Sequence, residues 1–413
     1  MRFSVVVNTY NRGPSLRKTL ESLRHQVYED FEVVVVNGPS GDSTAEVLAA
    51  FDGLVRVVEC PEVHLSKSRN LGIEAAAGEV VAFIDDDAIP EPHWLADLAA
   101  AYADPRVCGA GGLVYDHTGV RYQYQYSVCD RLGSPRFETK PPPAECSRPG
   151  ADPFVYLQGT NCSFRRDCLV AVGGFDEEIE YYLDETEVCL QMADHGFPLR
   201  PLPRAAVHHK YLASHIRNPN RRVLDPFSTV KNACYFALLH GRRTRPLREV
   251  LDYLSRYLGA VRDGAERAHA MGEITAPQLD HFLRRADEGV EVGIDRGLHQ
   301  QRRRRRFPPR PAGEFLRFPT LRPDGRRLTV CFLSQEYPPG EFGGIGRLYH
   351  DLATGFAARG HEVHVVTRSP DDDRVDFEEG VWVHRLVPRE PRLAELDAIP
   401  LGGNLRLIAS RYY

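Results

Sequence analysis

The stretch Val80-Val-Ala-Phe-Ile-Asp-Asp-Asp87 joins a continuous apolar run to three successive carboxylates. Similar apolar runs alternate with amphipathic segments throughout the N-terminal part of the chain. This alternation predicts strands at 3–7, 31–36, 55–59 and 80–84, with helices at 15–24, 44–51 and 66–77 between them. Because strands covered on both faces read as continuous apolar runs, we predict an α/β fold built on a parallel sheet. In such folds ligands bind where the strands end.

Length and composition exclude several classes of protein. The chain has 413 residues, with 52 Lys and Arg against 57 Asp and Glu, which gives a formal net charge of −5. Its 42% hydrophobic and 26% charged residues are ordinary for a globular protein and exclude a collagenous, mucin-like or wholly disordered chain. The balanced charge argues against a dedicated nucleic-acid-binding protein. The apolar runs fall short of the ~20 residues that a membrane-spanning helix needs, so no transmembrane segment is predicted.

The N-terminus and the cysteines predict the compartment. Residues 1–7 lead directly into a strand, which leaves no room for a secretory leader. The nine cysteines are scattered and form no CxxC pair, so neither a zinc ribbon nor a thioredoxin-like site is indicated. Buried free thiols in a reducing compartment are the simplest interpretation, and we expect a cytoplasmic protein.

The acidic cluster at the end of the fourth predicted strand points to a metal. Asp85, Asp86 and Asp87 repel one another unless a cation or several hydrogen-bond donors offset their charge. Hard divalent ions accept carboxylate and phosphate oxygens together, so an Asp-x-Asp at a strand end suits a metal that bridges to a diphosphate. The alternative is a helix cap before the segment that starts at Pro90, but a cap uses one Asp and not three.

The ends of the first two strands are also polar, with Asn-Thr-Tyr-Asn-Arg at 8–12 and Asn-Gly-Pro-Ser-Gly-Asp at 37–42. Side chains of this kind can bind a base and a ribose, and Tyr10 offers an apolar face. Ordinary turn chemistry explains either segment equally well.

Taken in order, four segments resemble glycosyltransferase family 2, whose members are inverting enzymes of the GT-A fold that use nucleotide-diphosphate sugars. They are Val5-Val-Val-Asn-Thr-Tyr-Asn-Arg12, Val35-Val-Asn-Gly-Pro-Ser-Gly-Asp42, Lys67-Ser-Arg-Asn-Leu-Gly72 and Phe83-Ile-Asp-Asp-Asp87. The resemblance continues through residues 159–165, 173–177 and 184–190 and covers about the first half of the chain.

The resemblance implies a set of binding residues and a divalent ion, Mg²⁺ or Mn²⁺. The implied donor-binding residues are Thr9, Tyr10, Asn11, Asn37, Asp42, Arg69, Asn70, Asp85 and Asp86, and the implied metal ligands are Asp85, Asp87 and His208. Family members often carry Asp where this chain has Asn37. Because Asn both donates and accepts hydrogen bonds, the identity of the nucleotide base stays open. His208 and His209 are adjacent on a predicted strand, so at most one of them can face the metal. We favour His208; a structural histidine is the alternative.

An inverting transfer also needs a carboxylate that takes the proton of the acceptor hydroxyl. By its position in the resemblance, Glu185 is the base and Asp184 its neighbour, although the family usually has Glu followed by Asp at this point. Gln158, Gly159 and Glu187 are expected on the acceptor side. The alternative for this cluster is an acidic helix N-terminus that the helix dipole favours.

Beyond residue 215 the pattern changes several times. We predict a GT-A domain over 1–215, a helical extension over 216–301 with helices at 247–261 and 276–286, an Arg/Pro-rich linker over 302–327, and a second α/β opening over 328–413. The run Arg302–Arg306 is expected to be a solvated linker; the alternative is an acidic-lipid or phosphate patch that brings the protein to the inner face of a membrane.

The last segment combines a Gly343-Gly-Ile-Gly346 loop with a flanking strand pattern, and it resembles the start of a family 4 glycosyltransferase of the GT-B fold. About 85 residues are short for a domain of ~100–150 residues, so we expect an incomplete copy, or part of a longer fusion, without transferase activity of its own.

The predicted function is therefore metal-assisted, inverting sugar transfer from a nucleotide-diphosphate donor to a hydroxyl of a glycan, lipid-linked or polysaccharide-precursor acceptor, in cell-envelope polysaccharide biosynthesis. The alternative is a non-catalytic sugar-nucleotide-binding or scaffold protein. A nucleotidyltransferase is a third hypothesis. The opening segment argues against it, because it lacks the glycine- and arginine-rich loop expected of sugar nucleotidyltransferases.

Overall fold

A computed structural model of the chain describes residues 1–309, 315–340 and 343–387. Part of the predicted linker, 310–314, and the predicted second fold at 341–342 and beyond residue 387 lie outside the described residues.

The strands and helices follow the predicted alternation closely in the first hundred residues. The strands are β1 Phe3–Thr9, β2 Phe31–Asn37, β3 Arg56–Glu59, β4 Val80–Asp85, β5 Ala88–Pro90, β6 Gly109–Gly111, β7 Val114–Tyr115, β8 Tyr122–Tyr124, β9 Tyr126–Cys129, β10 Pro135–Glu138, β11 Phe154–Val155, β12 Asn161–Arg165, β13 Leu199–Pro201, β14 Val207–His209, β15 Thr329–Leu333, β16 Glu362–Arg368, β17 Arg374–Glu378 and β18 Val381–Leu386. The α-helices are α1 Gly13–Leu23, α2 Thr44–Ala50, α3 Leu65–Ala75, α4 Trp94–Tyr102, α5 Arg166–Val172, α6 Asp184–Asp194, α7 Phe227–His240, α8 Leu247–Ala270, α9 Ala276–His299 and α10 Gly344–Ala358, with short 3₁₀ turns at Ala144–Ser147 and Gly241–Arg243.

The central sheet has the strand order β13-β6-β12-β4-β1-β2-β3. The predicted parallel arrangement of the first four strands is confirmed, because β1 pairs in parallel with both β2 and β4, and β2 with β3. Strand β12 then pairs antiparallel with β4. Side chains on β1 alternate between two cores: Val5 and Val7 pack on one face with Trp94, and Val6 packs on the other with Phe83. Both faces of the sheet are therefore covered, as the continuous apolar runs require.

A smaller sheet, β5-β14-β7-β8, stands at the carboxyl end of β4. Strand β14 pairs antiparallel with β5, so that His209 lies opposite Ala88 and His208 opposite Ile89. This sheet brings the end of β14 beside the acidic turn 85–87.

The helical extension packs on the GT-A core. Ala233 and Phe236 of α7 lie in the same core cluster as Phe83. Helix α9 packs along α7 through Gly293, where an added Cβ would lie 2.4 Å from the carbonyl oxygen of Lys231. Along the helices of the described residues, we find none with both the length and the apolar composition needed to cross a membrane.

The expected solvated arginine run is wrong for two of its members. The side chain of Arg302 is 6% exposed and its Nε lies 2.8 Å from Glu187 Oε1. Arg305 pairs with Glu74 at 2.8 Å and with Glu177 at 2.5 Å. Distant carboxylates on the GT-A domain bind these two guanidinium groups, which therefore do not form a free cationic patch.

The C-terminal sheet, β15-β16-β18-β17, contacts the back of strand β14. The Trp382 ring packs on the His208 ring with their centroids 4.7 Å apart, and Lys210 Nζ donates to Asp376 Oδ1 at 2.6 Å. Ile89 shares a small apolar cluster with Val375, Phe377 and Trp382. The segment that follows the linker is thus docked on the first domain.

Candidate functional site

A cavity of about 510 Å³ opens at the carboxyl ends of β1 and β4. This is the edge where ligands bind in α/β folds, and the volume suits a small-molecule ligand. The structure places the following predicted site residues around it: Thr9, Tyr10, Arg69, Asp85, Asp86, Asp87, Gln158, Gly159, Asp184 and Glu185.

One wall of the cavity is an Asp-Asp-His cluster. His209 Nε2 lies 3.3 Å from Asp87 Oδ1 and 3.6 Å from Asp85 Oδ2. Burial alone lowers the pKa of His209, but the two carboxylates outweigh that effect and the net shift is upward. Three ligand atoms of these side chains lie within 4.8 Å of one another, which suits a divalent cation.

The prediction that His208 is the metal ligand is wrong. Side chains on a strand alternate between its faces, and the pairing of β14 with β5 turns His209 toward the acidic turn. His208 points to the opposite face, where its Nε2 lies 3.1 Å from Glu91 Oε1 and its ring stacks on Tyr115 at 4.6 Å between centroids.

A second layer of contacts orients the cluster. Gln123 Oε1 lies 2.9 Å from His209 Nδ1. A proton on Nδ1 that is donated to this oxygen is the tautomer in which Nε2 can bind a metal. Metal-binding histidines are commonly held by such a contact on the other ring nitrogen.

Arg12 fixes the acidic turn from the side of α1. Its Nη1 donates to Asp87 Oδ2 at 2.8 Å, and its Nη2 donates to the backbone oxygen of Ala213. Burial raises the pKa of Asp87 by itself, but His209 and Arg12 outweigh it and the net shift is downward. Burial and the neighbouring Asp87 raise the pKa of Asp86 to about 8. The turn thus holds one firmly ionised carboxylate beside one that takes up a proton readily.

The same cavity is lined by the predicted base at the start of α6. Tyr182 and Leu183, directly before this helix, have φ angles of 72° and 68°, a left-handed backbone that non-glycine residues seldom adopt. Strained turns of this kind cluster at functional sites. Burial and the negative charge of Asp184 raise the pKa of Glu185 to about 8.

Arg69 joins the base to its surroundings. Its Nη1 donates to Asp184 Oδ2 at 2.6 Å, and its Nη2 donates to the carbonyl oxygen of Gly159 at 3.2 Å. A Cβ at Gly159 would lie 2.8 Å from Arg69 Nη2 and 3.4 Å from Glu185 Oε2. Only glycine therefore lets this loop approach both side chains without displacing them.

Two predicted contacts are wrong because the side chains face the interior. Asn70 is fully buried, donates to the carbonyl oxygen of Phe175 at 2.9 Å, and ties α3 to the 175–177 turn. Glu187, expected to bind the acceptor, is also fully buried and pairs with Arg302 and His240. Two residues along an α-helix correspond to a rotation of about 200°, so Glu185 and Glu187 face opposite sides of α6.

Three further predicted donor residues lie at the rim and form turns. Asn11 Oδ1 accepts from the Gly41 amide at 2.7 Å, and Asn37 Oδ1 accepts from Ser40 Oγ at 2.9 Å. Asp42 Oδ2 accepts from the Gly13 amide at the start of α1 at 3.0 Å. Their contact with a donor stays a prediction.

Sequence reasoning passed over Arg12, Gln123 and Arg217, which line the cavity, and it ranked His209 below His208. Arg12 ends the segment Val5–Arg12, directly after the first predicted strand. Its position at the carboxyl end of that strand is the signal that was available. Strand alternation allowed either histidine, and the pairing partner of β14 decides between them. Nothing in the local sequence marks Gln123 or Arg217.

Comparison with known proteins agrees with this geometry. Residues 4–173 match Glycosyl transferase family 2, and residues 342–411 match Glycosyltransferase Family 4. The chain is 32% identical over 189 residues to a glucosyl-dolichyl phosphate glucuronosyltransferase of Haloferax volcanii, a match that covers 43% of this chain and 56% of that relative. It is 38% identical over 104 residues to the putative glycosyltransferase EpsH of Bacillus subtilis, covering 24% of this chain and 30% of EpsH. The chain thus spans about half or less of the length of these two relatives.

Among solved structures, S. aureus TarS 1-349 in complex with UDP-GlcNAc matches with a TM-score of 0.45 and 18% identity, over 72% of this chain and 83% of that one. The predicted GT-A fold is confirmed by the family match, and the family 4 resemblance of the last segment is confirmed as well. The chain therefore resembles a family 2 glycosyltransferase over residues 4–173 and a family 4 glycosyltransferase over residues 342–411, two matches that each cover less than half of it.

Proposed function

We propose that this protein is an inverting glycosyltransferase that moves a sugar from a nucleotide-diphosphate donor to an acceptor hydroxyl. The observation that carries the proposal is the presence of two groups in one cavity: the Asp85-Asp87-His209 cluster and Glu185, with its raised pKa. The relative from Haloferax volcanii is named as a glucuronosyltransferase, which supports sugar transfer.

Asp85, Asp87 and His209 would hold the divalent cation, because two carboxylates and an imidazole with a free Nε2 suit Mg²⁺ or Mn²⁺. When bound, the ion neutralises the charge on the donor diphosphate as it leaves. Arg12 holds the Asp87 carboxylate in place from outside the cluster.

Glu185 takes the proton of the acceptor hydroxyl. As the acceptor oxygen forms its bond to C1 of the sugar, the bond from C1 to the diphosphate oxygen breaks, and its electron pair stays with the leaving diphosphate. A pKa of about 8 gives Glu185 a higher proton affinity than an ordinary carboxylate, which favours base catalysis near neutral pH. Asp184 and Arg69 orient it, and Gly159 leaves the space that the Arg69 and Glu185 side chains need.

The test separates binding from transfer. Purified Glu185→Gln should bind UDP- or GDP-sugars with Mn²⁺ as the wild type does, measured by thermal shift, and should lose transfer by about 10²-fold or more. Glu46→Gln, at an exposed position of α2 that does not line the cavity, is the control of the same residue type. Transfer that survives in Glu185→Gln would remove the base assignment. A wild type whose melting temperature no nucleotide-diphosphate sugar raises would contradict the donor site itself.

A further inference from the structure

A second cavity of about 420 Å³ lies beside the first, between the 211–229 segment and helices α8 and α9. Its wall is largely apolar, with aliphatic and aromatic side chains from these elements and from the turn between α8 and α9: Ile216, Tyr257, Val261, Ala265, Ile274 and Phe282. The charged residues that line it within the described chain are Arg217 and Arg222, and no carboxylate lines it. The cavity is thus an apolar chamber with cations at its edge.

The two cavities share a wall. Tyr181, Tyr182, Tyr211 and Arg217 line both of them. The wall is a stack in which the Arg217 guanidinium lies 4.0 Å from the ring centroid of Tyr211 and 5.9 Å from that of Tyr181. A ligand that occupies one cavity therefore ends within reach of the other.

Arg217 is the cation at this junction that has no ion pair among the described residues. Arg222 pairs with Glu273, whereas the Arg217 Nε is buried and has no hydrogen-bond partner in the part of the chain that the structure describes. A buried donor without a partner is rare, and an anionic ligand group is a natural acceptor for it.

We propose that the second cavity binds the apolar chain of the acceptor, and that Arg217 binds an anionic phosphate joining this chain to the group that is glycosylated. The acceptor is then an amphiphile that places its chain against α8, its phosphate at the shared wall, and its reacting hydroxyl in the first cavity near Glu185. The assignment of the reacting end rests on the proposed function; the binding of an alkyl phosphate does not.

Gly264 on α8 provides a direct test, because it lines the second cavity alone and an added Cβ would meet nothing closer than Arg267 Nη2 at 4.0 Å. Gly264→Leu therefore fills the chamber without a backbone clash, and leucine has a higher helix propensity than glycine. Gly259→Leu on the same helix is the matched control, since a Cβ there meets nothing within 4 Å and Gly259 does not line the cavity.

The probe is decyl phosphate below its micelle concentration, with decanol and inorganic phosphate as partial probes, in calorimetry on the full chain. We expect decyl phosphate to bind the wild type and Gly259→Leu alike, and to bind Gly264→Leu about tenfold more weakly or worse, a factor that corresponds to about 1.4 kcal/mol. Arg217→Gln should weaken decyl phosphate toward the affinity of decanol. Ala260→Phe, at another lining position of α8, is a second cavity-filling variant if Gly264→Leu does not fold.

Equal binding by the wild type and both cavity-filling variants would overturn the proposal, as would no binding of decyl phosphate to the wild type, or unchanged binding in Arg217→Gln. Donor binding with Mn²⁺ is measured on the same samples. A protein that binds decyl phosphate in this pattern but binds no nucleotide sugar would keep the cavity assignment and contradict the proposed function. The reverse pattern would contradict the cavity assignment alone.

Discussion

Replacing Arg302 by alanine should destabilise the first domain strongly, although the residue belongs to an arginine run that reads as solvated. Arg302 Nε lies 2.8 and 3.0 Å from the two oxygens of Glu187, and Nη1 donates to the carbonyl oxygen of Val172 at 2.7 Å. Burial alone would raise the pKa of Glu187, yet Arg302 and His240 outweigh it and lower this pKa to about 2. The carboxylate is therefore ionised and fully buried, with Arg302 as its main counter-charge.

The size of the effect follows from what remains after the substitution. Breaking a buried pair by removing one partner costs about 3–5 kcal/mol, because the other charge stays buried without compensation. Gln191 Nε2, 2.9 Å from Glu187 Oε1, and His240 keep part of the stabilisation, which places the expected loss near the lower figure. This loss is a large fraction of the free energy of unfolding, which is typically about 5–15 kcal/mol.

Urea unfolding measures the loss. The chain has two tryptophans, so a Trp382→Phe background leaves the fully buried Trp94 as the reporter of the first domain. With a slope of about 3 kcal/mol/M, a loss of about 3 kcal/mol lowers the midpoint by about 1 M.

Arg306→Ala, at an exposed position of the same arginine run, is the matched control and should leave the midpoint unchanged. Removing both charges, as Arg302→Met with Glu187→Met, should recover part of the loss, since no charge is then buried alone. A midpoint for Arg302→Ala within about 0.3 M of the control, equivalent to less than about 1 kcal/mol, would refute the reasoning.

Three further predictions concern the cavity and its support. At a constant Mg²⁺ concentration, kcat should rise with pH up to about 8 and then level off, because Glu185 acts in its deprotonated form and its pKa is about 8. A kcat that rises around pH 4 and is constant above it would contradict this prediction. Gly159→Ala should lower kcat by about 10²-fold with little change in donor affinity, because the new Cβ displaces Arg69 beside the base. Stopped-flow donor binding and steady-state rates measure the two quantities, and an unchanged kcat would contradict the prediction. Trp382→Ala should weaken Mn²⁺ binding by about tenfold, because Trp382 packs on the strand that carries His209. Mn²⁺ electron paramagnetic resonance measures the affinity, and Trp382→Phe is the conservative control. Equal Mn²⁺ affinities of the wild type and Trp382→Ala would contradict the coupling.

The sequence predicted the elements whose signal is local. Continuous apolar runs fix β1, β2 and β4 as buried strands, and a carboxylate directly after such a run must stand at the sheet edge where ligands bind. Asp85 and Asp87 were therefore accessible to prediction. The same holds for the positions of Asp184 and Glu185 at the start of a helix.

Residues that depend on long-range pairing could not be placed in this way. The pairing of His209 with Ala88 decides which histidine faces the acidic turn, and it is set by where β14 meets β5 in the fold. Arg302 pairs with Glu187, which is 115 positions away in the sequence. No local signal marks Arg302, Arg303 and Arg305 as members of the run that pair with carboxylates. The opposite faces of Glu185 and Glu187, by contrast, follow from helix geometry and were available from the sequence.

The two faces of β14 explain how the family 4 segment can matter to the family 2 domain. Among the described residues, those after residue 327 do not line the first cavity, so any effect of this segment on the cavity must pass through the elements that it contacts. His209 faces Asp85 and Asp87. Its two neighbours contact the C-terminal sheet: the His208 ring packs on Trp382, and Lys210 pairs with Asp376. Because His208 and Lys210 share the backbone of His209, we expect the loss of either contact to shift the imidazole that lies beside Asp85 and Asp87.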